Sequence, residues 1–143
     1  MKTPIILLLF LFISRIGISQ SIPENKVPEI IKTSFHTNFK DVKKTNWDLE
    51  SDGDYEAEFI QNGIETSATF KLDGTLWETE WSIKKEKLPS SILPFVKANY
   101  KGCRIQETSQ IIDYTGFRKF EVEIKHQGVI VELLFNEQGK RIQ

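Results

Sequence analysis

From residue 45 to residue 83, hydrophobic and polar side chains alternate in short blocks, most of them closed by a glycine turn. Trp47 and Leu49 alternate with Asn46, Asp48 and Glu50 ahead of the turn Ser51-Asp52-Gly53-Asp54. Tyr55, Ala57 and Phe59 alternate with Glu56 and Glu58, and Asn62-Gly63 follows. That dipeptide is a strong hairpin signal, because both central residues of the tightest hairpin turn need positive φ. Ile64, Thr66, Ala68 and Phe70 continue the period of two, Asp73-Gly74 turns the chain, and Leu76 to Ile83 sets Trp77, Trp81 and Ile83 against Glu78, Glu80 and Ser82. Further strands are predicted near Cys103 to Tyr114, Phe117 to Lys125 and Val129 to Asn136, with a stub at Arg141 to Gln143. A period of two means that each strand buries one face and wets the other.

Two stretches carry a helical period instead. Val27, Ile30, Ile31, Phe35 and Phe39 form one apolar stripe, opened by Pro28, whose missing N–H is no loss in a first turn. Leu88, Ile92, Val96 and Tyr100 form the second. Pro94 sits inside it, so that helix is either kinked or regular only from about Ser91 onward.

The two stretches head two similar halves. Val27-Pro28 and Phe39-Lys40 match Leu88-Pro89 and Tyr100-Lys101 at an offset of 61. Tyr55 to Phe59, Asn62-Gly63 and Phe70 to Gly74 match Phe120 to Ile124, Gln127-Gly128 and Phe135 to Gly139 at an offset of 65. One four-residue insertion before Phe117 accounts for the step. The fold predicted is α+β: two tandem copies, about 27–84 and 88–143, of a helix followed by an antiparallel meander of about four strands, with the helices packed on one sheet face. A unit of roughly 60 residues has a marginal core alone. The copies are therefore expected to share a sheet edge or a packed seam, with Trp77 and Trp81 near it.

The first residues change the compartment. Lys2, the apolar run Ile5 to Ile13 and the small residues Gly17 and Ser19 make residues 1–19 a secretory signal peptide, cut after Ser19. The run is too short for a bilayer, which takes roughly 20 apolar residues. Export is expected to the periplasm or the exterior. Cys103, the sole cysteine, lies deep in the mature chain and is not a lipid-attachment residue. Alone, it forms no internal disulfide and reads as a buried thiol.

Of 19 basic and 20 acidic residues the signal segment removes Lys2 and Arg15 and no acid, leaving 17 basic and a net charge of -3. That balance excludes a phosphate-binding stripe, so nucleic acid is not an expected partner. His36 and His126 belong to no metal-ligand pattern, and no nucleophile motif or phosphate-cradling loop is present. No catalytic residue, cofactor or metal is assigned. Calcium held by Asp52-Gly53-Asp54 and Glu50 is an alternative, although the loop lacks the full alternating ligand set.

Carboxylates are the one dense population. Glu56, Glu58, Glu65, Glu78 and Glu80 fall on the outward side of the first meander, and Glu121, Glu123 and Glu132 on that of the second. Interspersed lysines read this face as solvated and cross-strand paired. Its functional reading is a partner-binding sheet face of Glu56, Glu58, Glu78, Glu80, Glu121 and Glu123. The tryptophans Trp47, Trp77 and Trp81 read as core or seam, with a partner interface as the alternative.

The helix with Phe35 and Phe39, Trp47, Tyr55-Glu56-Ala57-Glu58-Phe59, Asn62-Gly63, Ala68-Thr69-Phe70 with Asp73-Gly74, Leu88-Pro89, Tyr100 and Phe120 to Ile124 together carry a resemblance over the whole mature chain. The sequence resembles the PepSY-like, β-lactamase-inhibitor-like family of periplasmic proteins. It departs from it at Lys40, where such proteins often have proline, and at Pro94. The resemblance implies a periplasmic or secreted tandem-repeat fold with no catalytic residues to carry over. The function expected is a non-enzymatic exported binding module, possible partners being envelope or secreted proteins. An enzyme using a carboxylate pair is the rival, and it requires a pocket with a desolvated glutamate.

Overall fold

The computed structural model describes residues 19–143, so the expected signal segment lies outside the described residues but for Ser19. A short strand, β1 (Gln20–Ile22), precedes helix α1 (Glu29–Asn38). Four strands follow: β2 (Thr45–Leu49), β3 (Tyr55–Gln61), β4 (Ile64–Phe70) and β5 (Leu76–Ser82). Helix α2 (Ile92–Asn99) then leads into β6 (Arg104–Asp113), β7 (Arg118–His126) and β8 (Val129–Asn136).

All eight strands belong to one antiparallel sheet in the order of the chain, β1 to β8. The expected architecture of two helix-plus-four-strand copies is thereby corrected: the molecule is mostly β, a single meander carrying two helices. Glu78 to Ser82 of β5 pair residue by residue with Asp113 to Ser109 of β6, so the sheet runs unbroken where one copy was to end. Three strands follow α2, and the expected stub at Arg141 is an isolated bridge to Phe135. The strand ahead of α1 pairs with β2 through Gln20–Leu49 and Ile22–Trp47. Alternation reports which side of a strand is buried. It does not report which neighbour takes its hydrogen bonds, and it cannot register three residues such as Gln20–Ile22.

Two apolar cores lie on the same face of this sheet. Ile31 and Phe35 of α1, with Val27 and Phe39 flanking the helix, pack on Trp47, Ala57, Phe59, Ala68 and Phe70. Phe35 is the hub, its ring 5.3 Å from Trp47, 5.1 Å from Phe59 and 5.5 Å from Phe39. Ile92 and Val96 of α2 pack on Phe120, Val122, Ile124, Leu133 and Phe135. Ile30 departs from the expected stripe and is exposed. Pro94 falls in the first turn of α2, where an absent N–H leaves no bond unmade, and the helix begins beside Ser91 as the second alternative required.

Two glycines fix the helices to the strand ends. Gly74 (φ +86°), after β4, would set a Cβ 2.9 Å from Cγ1 of Ile30 at the start of α1. Gly139 (φ +73°), after β8, would set a Cβ closer still to the Ser91 hydroxyl and 3.2 Å from Cβ of Pro89, ahead of α2. Neither place has room for a side chain, and both need the left-handed conformation that glycine adopts freely.

Candidate functional site

The face opposite the helices holds every carboxylate singled out above. Cross-strand register sets Asp48 against Glu56, Glu56 against Thr69 and Thr69 against Glu78 in one row. A second row runs Glu58, Ser67, Glu80 and Ile111. Beyond it Ser109 faces Glu121, and Glu107 faces Glu123, which faces Glu132. The six glutamates predicted as a binding face thus share one surface.

They are not solvated as expected. Glu80 is 6% exposed and Glu121 9%, although neither helix packs on this side. Side chains of adjacent strands close over them, among them Ile111, itself 4% exposed. Serines answer part of the demand. The Ser109 hydroxyl donates to Oε1 of Glu80 at 2.5 Å, and that of Ser82 to Oε1 of Glu107 at 2.7 Å. Ser67 bonds Glu56 in the same way.

Burial raises the pKa values accordingly, because a carboxylate loses water's solvation there. Glu56 is pushed up to about 8, chiefly by burial and then by Glu50, Glu58 and Glu80, against the bond from Ser67. Glu121 is pushed up to about 9 by burial and by Glu80, Glu132, Glu123 and Glu107. Glu58 and Glu80 reach about 7, again mainly through burial. Glu123, Glu65 and Asp48 are raised too. The lysines of this region serve other acids: Lys119 Nζ lies 3.2 Å from Glu78, and Lys71 Nζ 2.5 Å from Asp54.

Space beside these acids is small. A cleft of about 50 Å³ opens between Glu50, Asp54, Glu56, Glu78 and Glu80, floored by Trp77. It admits a side-chain head group and not a substrate. The calcium loop is spent otherwise, since Asp54 holds Lys71 and the Asp52 carboxylate accepts from the Asp54 N–H at 3.3 Å. Among the described residues no group of three or more metal-binding side chains is assembled.

A larger hollow lies on the helix side. Each helix roofs its own core, and the strip of β5 and β6 between them forms a groove of about 500 Å³. Trp77, Trp81 and Tyr114 line it with Ile64, Ile112 and Phe39. A register shift after Thr69 makes Trp77 the extra residue of β5, and its ring stacks on Tyr114 at 4.2 Å and lies 4.5 Å from Lys71 Nζ. The strand alternation that placed Trp77 and Trp81 at the seam did not show that the seam is open. Trp47, by contrast, is core, with Nε1 buried and without a hydrogen-bond partner among the described residues. Cys103 is half-buried beside the second core, and His126 packs edge-on to Tyr100.

The family model described as "Putative beta-lactamase-inhibitor-like, PepSY-like" matches residues 17–77 and 53–143, together most of the chain. No curated protein matches it. Several solved structures share the fold. A DUF2874 family protein from Bacteroides uniformis ATCC 8492 superposes with a TM-score of 0.70 at 17% identity, over 81% of this chain and 86% of that one. A structure titled "putative periplasmic proteins" from Bacteroides eggerthii DSM 20697 gives 0.72 at 13% identity, over 82% and 86%. A BLIP-like protein from Bacteroides fragilis NCTC 9343 gives 0.62 at 19% identity, over 85% of each chain. No helix among the described residues is long and apolar enough to cross a membrane.

Proposed function

The chain belongs to the PepSY-like, beta-lactamase-inhibitor-like family, and from that membership and its bare acidic sheet we propose that it is an exported, non-enzymatic module that binds a protein on the face away from its helices. The observation that carries this reading is the crowding of Glu56, Glu58, Glu80, Glu121 and Glu123 on a face that neither helix packs against. Holding carboxyls close together and half-dry opposes folding, so stability alone gives no reason for the arrangement. A surface that gains only when a partner covers it does. The neighbour described as periplasmic and the signal-like residues 1–19 support export; the inhibitor-like family name and the BLIP-like neighbour support a protein as partner.

The desolvated glutamates that an enzyme would need are present. The cleft beside Glu56, Glu78 and Glu80, at about 50 Å³, is small for a substrate. That favours binding over catalysis. Affinity capture from envelope extract, with the protein immobilised, tests the reading. A captured protein is expected to be lost on charge reversal at Glu56, Glu58, Glu121 and Glu123. Capture that survives the reversal would remove this face from consideration.

The groove of about 500 Å³ supports a second reading, a small apolar ligand held against Trp77, Trp81 and Tyr114. Quenching or a blue shift of tryptophan fluorescence on titration with an aromatic probe, abolished by Trp81→Ala, is its test.

A further inference from the structure

The centre of the acidic face is arranged around Glu121. It is 9% exposed and makes no hydrogen bond or ion pair among the described residues, while Glu80, its neighbour across β6, has only the Ser109 hydroxyl. What faces Glu121 is acidic from each surrounding strand: Glu80 on β5, Glu107 on β6, Glu123 on its own strand and Glu132 on β8. Lys119, on the same strand and the same face, is turned to Glu78. A carboxyl with no donor among the described residues, largely covered by its neighbours, beside a second carboxyl and open to the uncovered side, is a place prepared for a cation that this chain does not supply.

Resting on the reading that this face binds a protein, we propose that the partner meets it with a basic segment, and that one arginine of that segment seats between Glu80 and Glu121 over Ser109. The planar guanidinium carries five N–H donors in a fixed fork and is more weakly hydrated than an ammonium, so it can bridge two carboxylates in a site of low polarity. Lys71, held by the Asp54 carboxylate and the Trp77 ring, shows that this chain already pairs one of its acids with a cation. Charge complementarity also selects the occupant: an acidic or apolar segment would leave Glu121 buried without a donor, the costliest outcome. Because Glu121 and Glu80 hold protons near neutrality, seating the cation expels protons, and affinity rises with pH.

The test is isothermal titration of the purified protein with a hexa-arginine peptide at pH 6 and pH 8.5. Affinity is expected to rise by about tenfold, or roughly 1.4 kcal/mol, between the two, with proton release read from the difference in heat between phosphate and Tris buffers. Glu80→Gln and Glu121→Gln, checked for folding by circular dichroism, are expected to weaken binding by about tenfold, whereas Glu24→Gln and Glu86→Gln, on one-turn helices away from the sheet, leave it within about twofold. Equal losses from both sets would mean diffuse attraction and overturn the proposal. So would a pH-independent affinity, or saturable calcium binding at Glu80 and Glu121 with no peptide binding. If Glu80→Gln and Glu121→Gln leave the captured envelope protein bound while charge reversal of the wider face releases it, the cation seat falls and the binding face stands.

Discussion

Ser109 on β6 gives its hydroxyl to the carboxyl of Glu80 on β5, at 2.5 Å, across the one strand pair that joins the two cores. A single short bond there ties the sheet's continuity to the acidic face. The neutral serine partly satisfies Glu80 without neutralising it, and so leaves the charge of the face undischarged.

Stability is expected to fall as the medium becomes alkaline. An unfolded glutamate titrates near its ordinary 4.5, whereas the folded groups hold their protons to about 7 (Glu58, Glu80), 8 (Glu56) and 9 (Glu121). The native state therefore binds more protons across that window, and the stabilisation is complete below pH 4.5 and lost as pH rises through 7 to 9. Thermal melts followed by circular dichroism should give a Tm several degrees higher at pH 5.5 than at pH 9. A flat profile would mean that these side chains are solvated in solution.

Glu121→Gln should stabilise the protein where most surface substitutions do nothing. The amide keeps the shape and removes the repulsion from Glu80, Glu123 and Glu132. The gain expected at pH 9 is on the order of 1–2 kcal/mol, shrinking toward zero at pH 5, where the native carboxyl is already neutral. Urea denaturation at the two pH values reads the difference directly.

Phe35→Ala removes the ring on which Trp47, Phe39 and Phe59 converge. Loss of about 3–5 kcal/mol is expected, measured by guanidinium denaturation. The transition should remain single, because the second core shares its sheet with the first.

Gly139→Ala should cost more than Gly128→Ala. Both glycines have positive φ, but a Cβ at Gly128 meets open space, whereas one at Gly139 runs into Ser91 and Pro89. About 1 kcal/mol is expected at Gly128 from backbone strain alone, and roughly 2 kcal/mol at Gly139, where the Ser91 hydroxyl must also turn aside and Pro89 give slightly. Urea midpoints of the two variants decide it.

Much of this architecture is legible in the residue pattern, strand by strand. Ile64 to Phe70 alternates with a period of two and is a strand over those same residues, and Val129 to Asn136, apolar at every position but Glu132 and Asn136, is a strand as expected. Ile31 with Phe35 and Ile92 with Val96, each four apart, place the buried faces of both helices. What alternation cannot convey is partnership. Nothing in Glu78 to Ser82 says that its free edge belongs to Ser109 to Asp113, about thirty residues on. That omission turned one sheet into two copies.

How dry the acidic face is goes unread for the same reason. Alternation places Glu80 and Glu121 on the polar side, and a polar side need not be a wet one. Their burial comes from Ser109, Glu107 and Ile111, which reach them only through the register of β5 on β6 and β6 on β7. A signal is present in the run Glu56, Glu58, Glu78, Glu80, Glu121 and Glu123: like charges two apart recur on every second strand, β3, β5 and β7, with only the small Thr69 and Ser67 between the first two pairs, so a shared face brings them near one another.

The ladder between β5 and β6 also governs how the molecule can fail. Melting either half would strip a partner from the other and leave a raw row of amides and carbonyls along β5 or β6, the kind of template on which strands from other copies add. A half-open chain, more than a fully unfolded one, would then be the species that seeds clumping. Keeping that species rare rests on the five residue pairs from Glu78–Asp113 to Ser82–Ser109.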